Sequence, residues 1–422
     1  MTVGPGGTGA GPAPLRRRNA VLAASALALF FMTWSLSWSL FAIWLTGEIG
    51  LSPGRSALVV GANSVGCLLV MPVYGFLQDR LGLRRNLLLV VGGLMVLAGP
   101  FYIHVYGPLL QHAFLAGLVV GALYLASAFA VAVATLECYV ERLGRLQGFE
   151  FGPVRMWGSL GWAAATWVAG RLFTIDPRIA FWAASATAVL FVLVLLAIRV
   201  PGGGRAGAVD AAASTVSPRE ALGLLRNPAS AGLVLYVVAV TATYGVYDSM
   251  FPSYFASLFP TAAEGTQTYA TLNAVQVFLE AGGMALAPFL VNRVGPRRAL
   301  LLAGAVMALR ILLSGVVVDP LAISAVKLLH AVELPIMLIA VFKYVNRHFE
   351  ARYSATVYLV GYQLVTQFGS AIISPLAGVG YDRLGFAHTY LLMGTVVAVF
   401  TAVSVLTLRR DGADRVAVPL RV

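Results

Sequence analysis

The chain has 422 residues, 59% of them hydrophobic and only 11% charged, with a mean hydropathy of +0.85. A soluble globular protein has about a quarter of its residues charged, so this composition excludes an ordinary water-facing surface and suits one facing lipid. The net charge of +12 does not mark a nucleic-acid-binding chain, because the basic residues are distributed between apolar runs.

Apolar runs of about 20 residues are each long enough to span a bilayer as helix. Twelve are predicted, near 20–45, 56–78, 86–106, 112–137, 154–174, 179–199, 228–255, 268–291, 298–317, 321–346, 355–380 and 387–408. The fold class that follows is all-α, a polytopic membrane protein. Residues 1–19 form a Gly/Pro-rich tail, expected to be disordered. Arg16 to Arg18 before the first run imitate a signal peptide, but the run continues to Leu45, well beyond a signal sequence's apolar region. With both termini cytoplasmic, 22 of the 29 Arg/Lys fall in cytoplasmic tails and loops, four in outer loops and three inside spans, which sets the orientation. Cys67 and Cys138 lie in apolar stretches and predict no disulfide.

The chain also repeats. "LQDRLGLRRNLLLVVGG" (77–93) recurs as "LVNRVGPRRALLLAGAV" (290–306) at an offset of 213, about half the length, each copy after the second span of its half. A weaker echo, "YDRLG" at 381–385, places its charges on the outer side. Between the halves lies "VPGGGRAGAVDAAASTVSPRE", a flexible linker. The organisation is therefore a six-helix bundle over 20–199, a cytoplasmic linker over 200–227, a second bundle over 228–408 and a tail over 409–422. Parallel repeats of this kind place a binding site between the halves near the membrane midplane. The loop "GFLQDRLGLRR" resembles the signature of the major facilitator superfamily: Gly75 and Gly82 permit a tight turn, Asp79 can cap or pair locally, and Arg80 and Arg84 hold the cytoplasmic edge.

Charges embedded in the spans are costly and by default mark a substrate or ion path. Glu137, Arg155, Asp248, Glu280, Arg310, Lys327 and Glu333 are so placed, with His330 an eighth titratable group. In "AVKLLHAVELP" (325–335), Lys327, His330 and Glu333 share one helix face. A carboxyl group in a dry pocket favours its neutral form until a guanidinium or water approaches. Conformation can therefore load and unload a proton there.

Over nearly its whole length the chain resembles the proton-coupled oligosaccharide permeases, the family of lactose and sucrose permeases. The resemblance is carried by "SWSLFAIWL" (37–45), "FEFGPVRMWGSLGW" (149–162), "LYVVAVTATYGVYD" (235–248), "QVFLEAGGMALAPFLVNRVG" (276–295), "MALRIL" (307–312) and "VKLLHAVELP" (326–335). It implies a sugar-gripping pair, Glu137 and Arg155, with Trp162 stacking on a sugar ring and Glu280 and His330 completing the sugar site. It further implies a proton-handling cluster of Arg310, His330 and Glu333 with Tyr244 as hydroxyl partner, and a structural ion pair of Asp248 with Lys327. Lactose-type members carry a second such pair where this chain has Gly245 and Thr366, and an essential acid where it has Val277. Loss of both members of that pair resembles the sucrose-type branch, as does the run "QVFLEAGGMALAPF"; at the helix-eight position Glu280 lies one turn after Val277.

The expected function is proton-coupled disaccharide symport across the cytoplasmic (inner) membrane, sucrose first and a galactoside second. The partners are sugar, proton and lipid, and the resemblance implies a functional monomer. No cofactor beyond the proton gradient, no metal site and no enzyme chemistry are expected, since no catalytic triad, metal-ligand spacing or phosphate loop appears. A proton-coupled exporter of drugs or other amphiphiles is the alternative, although the fifth helix begins "RMWGSLGW" without that class's Gly-Pro signature.

Overall fold

The computed structural model describes residues 13–81, 85–200, 228–349 and 357–410. The linker over 201–227, the tail over 411–422, residues 1–12, Gly82, Arg84 and the side chain of Asp79 lie outside the described residues. Among the described residues the secondary structure is helical apart from an isolated bridge at Phe349, and nine helices are long and apolar enough to cross a membrane. They include α1 (Leu15–Glu48), α2 (Pro53–Gln78), α4 (Phe114–Gln147), α6 (Pro177–Ala197), α7 (Ser230–Ser257), α8 (Ala262–Val294), α9 (Pro296–Val316) and α10 (Pro320–His348). A tenth span, α3, is the pair Asn86–Val96 and Ala98–His112, bent by 47°. Pro100 explains the bend, because it has no N–H to return to the Val96 carbonyl. α5 (Phe151–Ile175) is a further helix of bilayer length. The ninth apolar stretch, Val360–Thr407, turns at Gly385 (φ 75°, ψ 172°) into α11 (360–384) and α12 (386–407). The helices accommodate the twelve expected runs.

Two boundaries differ from the sequence reading. Helical structure begins at Ala13 rather than 20, since the apolar anchor is extended by polar ties: Arg18 Nη2 donates to the Ala197 carbonyl at 2.8 Å and buried Asn19 to that of Arg199 at 2.6 Å. α4 runs ten residues past Glu137, to Gln147. The extension is amphipathic, carries an Arg145–Glu141 bridge of 2.8 Å one turn apart and ends at Gly148 with φ 77°. Glu137 thus lies within α4 rather than near its end.

One arginine of each repeated pair has a clear structural task. Arg85 donates to the carbonyls of Leu195, Leu196 and Ile198 at 3.2, 2.9 and 3.3 Å, and Arg297 to those of Val405 and Leu408. Each arginine satisfies orphan carbonyls at the end of its bundle's last helix.

The halves meet mainly through α2 on α11 and α5 on α8, with α1 touching α7. The closest approaches lie toward the membrane face opposite the termini, here called the distal face. There a Cβ on Gly54 would come within 2.8 Å of the Gly378 carbonyl, and one on Gly170 within 2.3 Å of Ala270 Cβ. Thr46 and Ser253 hydroxyls meet at 2.9 Å across the same seam.

Candidate functional site

A cavity of about 290 Å3 lies between the halves. Its first wall is α5, which presents Arg155, Ser159 and Trp162 in line along one face, beside Phe31, Trp38 and Ser39 of α1. Facing them are Asp248 and Ser249 of α7, Tyr269, Asn273, Gln276 and Glu280 of α8, and Lys327 and His330 of α10.

On the first wall, Arg155 donates a short hydrogen bond through Nε to Glu137 Oε1. Its guanidinium sits 4.3 Å from the Phe31 ring centroid, and Nη1 reaches Ser159 Oγ at 3.5 Å. The side chains of the pair are 30% and 31% exposed, so water weakens their attraction. What the pairing supplies is orientation: Glu137 and Phe31 fix the planar fork, whose N–H groups suit vicinal hydroxyls. Trp162 lies edge-on to Trp34 and Phe31, with centroids 5.3 and 6.3 Å away, so its indole is braced at the cavity wall.

The second wall is ionic and largely dry. Arg310 is fully buried on α9 and bridges two carboxylates: Nη1 donates to Glu333 Oε1 and Nη2 to Asp248 Oδ1, each at 2.8 Å. Tyr244 donates to the same Glu333 oxygen and accepts from Arg310 Nη1. A π-helical turn over Val237–Ala242 precedes Tyr244 and offsets the helix register there. His330 Nδ1 lies 2.9 Å from Arg310 Nη1 and in contact with Tyr244 Oη. On the other side of the ring, His330 Nε2 faces Glu280 Oε2 at 4.0 Å.

Sequence reading pairs Asp248 with Lys327 and gives Arg310 to Glu333. The structure places Lys327 Nζ 3.7 Å from Asp248 and Arg310 closer, so the aspartate is shared between two cations. Lys327 is 1% exposed and also lies 5.5 Å from the Tyr269 ring and 5.6 Å from that of Phe251. Glu333 Oε2 and Arg310 Nε are buried with no hydrogen-bond partner among the described residues.

The cavity thus gathers Arg155, Trp162, Asp248, Glu280, Lys327 and His330, with Glu137, Tyr244, Arg310 and Glu333 directly behind its walls. Gly75 and Arg80 are not among its lining residues; Arg80 lies over the Phe76 ring at 5.1 Å. Sequence reasoning missed Ser159, Asn273 and Gln276. Their spacing offered the signal, since Asn273 and Gln276 precede Glu280 on one α8 face and Ser159 lies between Arg155 and Trp162. Uncharged polar residues in a span attract less notice than charges. Among the described residues no cluster of metal-ligating side chains occurs.

Relatives match about nine-tenths of this chain. A sucrose permease of Escherichia coli is 37% identical over 385 residues, covering 91% of this chain and 92% of the relative. A lactose permease of Citrobacter freundii is 39% identical over 375 residues (88% and 90%), and a raffinose permease of Escherichia coli 34% over 383 (90% of each). In fold the chain is similar to the nucleoside transporter NupG, with TM-score 0.76 at 13% identity over 94% of this chain and 99% of that one. A D-xylose–proton symporter gives TM-score 0.68 at 12% identity over 95% and 99%. Residues 13–419 match the LacY proton/sugar symporter family, and the chain belongs to it.

Proposed function

We propose that this protein carries a disaccharide together with a proton across the cytoplasmic membrane, by alternating access between two six-helix halves. One observation carries the reading. A single cavity has a guanidinium and an indole on one wall and, on the other, His330 in contact with the buried Arg310–Glu333 pair. A neutral polyol would be gripped by Arg155, held by Glu137, and by Glu280, with a ring laid against Trp162. His330 stands between Glu280 and Glu333, so occupancy on one side is felt on the other.

Glu333 is the proton carrier in this scheme. Its Oε1 is taken by Arg310 and Tyr244, while Oε2 is buried without a partner among the described residues. A proton on Oε2 neutralises the carboxyl and leaves Arg310 to Asp248. Departure of the proton restores the ion pair. Asp248 and Lys327 are mainly structural, and the loop from Gly75 to Arg84 serves the conformational change. Both termini are cytoplasmic, the monomer suffices, and the proton gradient is the only energy source. Contact between the halves at the distal face supports a cavity served from the cytoplasm in this conformation. Sucrose is the first expected sugar and a galactoside such as lactose or melibiose the second, because the charge pair of lactose-type members is absent at Gly245 and Thr366.

The test is a panel of disaccharides added to de-energised cells while external pH is recorded. Sucrose should alkalinise the medium, and lactose or melibiose is the second expectation. If no sugar does so, the symport reading falls and an exporter of amphiphiles takes its place.

A further inference from the structure

Gln276 lies on α8 one turn before Glu280, is 2% exposed and lines the cavity. Its Nε2 donates to Glu280 Oε2 at 3.3 Å. A carboxylate only accepts, so the amide nitrogen must face Glu280 and the amide oxygen is turned elsewhere. That oxygen is buried and has no hydrogen-bond partner among the described residues. An unmet buried acceptor is destabilising, and one on a residue that lines a cavity can be completed by a ligand hydroxyl. Asn273, one turn further toward the distal face, continues the same polar line, and its Oδ1 accepts from Tyr269 at 3.5 Å. α8 therefore places three polar side chains, those of Asn273, Gln276 and Glu280, at successive turns of the cavity wall opposite Arg155 and Trp162.

We propose that Gln276 is a specificity-determining residue. Its amide oxygen accepts one hydroxyl hydrogen from the sugar ring lying distal to Glu280, while its amide nitrogen holds the Glu280 carboxylate in place. The contact rests on the sugar-binding reading above and extends it, because it selects for a donor group on the second ring. The ligand class is a disaccharide with a free hydroxyl at that position. A sugar with that hydroxyl replaced by hydrogen or fluorine leaves the oxygen unmet and gains nothing from Gln276.

The experiment is counterflow of radiolabelled sucrose in proteoliposomes, with competition by a series of monodeoxy sucrose analogues. Gln276→Leu should raise the half-saturation concentration for sucrose about tenfold and leave the maximal rate within about twofold, the loss of one buried hydrogen bond. One deoxy analogue should compete equally well against the parent and the variant, which identifies the hydroxyl. Gln276→Asn keeps an amide but retracts it by one methylene, and should show the same single-analogue pattern with a smaller shift. The inference is overturned if Gln276→Leu leaves sucrose affinity unchanged. It is also overturned if every analogue weakens by the same factor as sucrose, the signature of a displaced Glu280 and no direct contact. If neither sucrose, lactose nor melibiose gives saturable counterflow with the parent protein, the sugar-binding reading itself fails, and this inference with it.

Discussion

Removing the Asp382 carboxylate should loosen the distal face. Asp382, in the "YDRLG" echo at the end of α11, reaches across to the first turn of α2 in the other half. Its Oδ1 accepts from the Gly54 N–H at 2.8 Å and its Oδ2 from Ser52 Oγ at 3.1 Å. Ser52 Oγ in turn accepts from the Arg55 N–H at 3.2 Å, and Pro53 has no N–H to satisfy. The free donors of the α2 N-terminus are thus met, one of them by the opposite bundle. Capping bonds contribute about 0.5–2 kcal/mol, and this one is partly solvated, so we take about 1 kcal/mol. That corresponds to a roughly fivefold change in the ratio of distally closed to distally open molecules. The assay replaces Cys67 and Cys138, installs Ser249→Cys in the cavity and measures its labelling by a membrane-impermeant maleimide applied to the distal face. Asp382→Ala should raise the labelling rate about fivefold. Asp382→Asn, which keeps an acceptor but loses the charge at the helix N-terminus, should raise it by about half that factor. An Asp382→Ala rate equal to the parent's would show that the clasp does not hold the halves together.

Other variants probe the site itself. Glu333→Gln should abolish uphill sugar accumulation while preserving equilibrium exchange, and a mutant that still concentrates sugar removes Glu333 from the proton path. Arg155→Lys should raise the half-saturation concentration at least tenfold in counterflow, because a point charge cannot reproduce the planar fork held by Glu137 and Phe31. Asp248→Ala should be more harmful than Lys327→Ala, since it strands Lys327 at 1% exposure, whereas Asp248 keeps Arg310 when Lys327 is lost. Breaking a buried pair costs about 3–5 kcal/mol. Thermal unfolding in detergent should therefore rank Asp248→Ala below Lys327→Ala, with the double variant above Asp248→Ala; equal stabilities would refute the shared-aspartate arrangement.

Much of this protein is decided by its sequence alone. Apolar runs of bilayer length, the repeat at half-length and the basic loops follow from what lipid tolerates, and these are local properties of the chain. The embedded charges were legible for the same reason: in a span each is too costly to be incidental. Which charge meets which was not legible, because partners lie on different helices. Arg310 and Asp248 are 62 residues apart, and only packing of α9 on α7 makes Asp248 an aspartate with two cations. The distal clasp was hidden likewise, since "YDRLG" reads as an ordinary loop motif until α11 is laid against α2. Gln276 escaped because an amide in a span costs little enough to be overlooked, and its unmet oxygen is visible only once every neighbour is in place. Composition and periodicity settle which segments enter the membrane. Tertiary packing alone settles which polar atoms end up paired and which are left waiting for a ligand, because hydrogen bonds require contact and contact here spans half the chain.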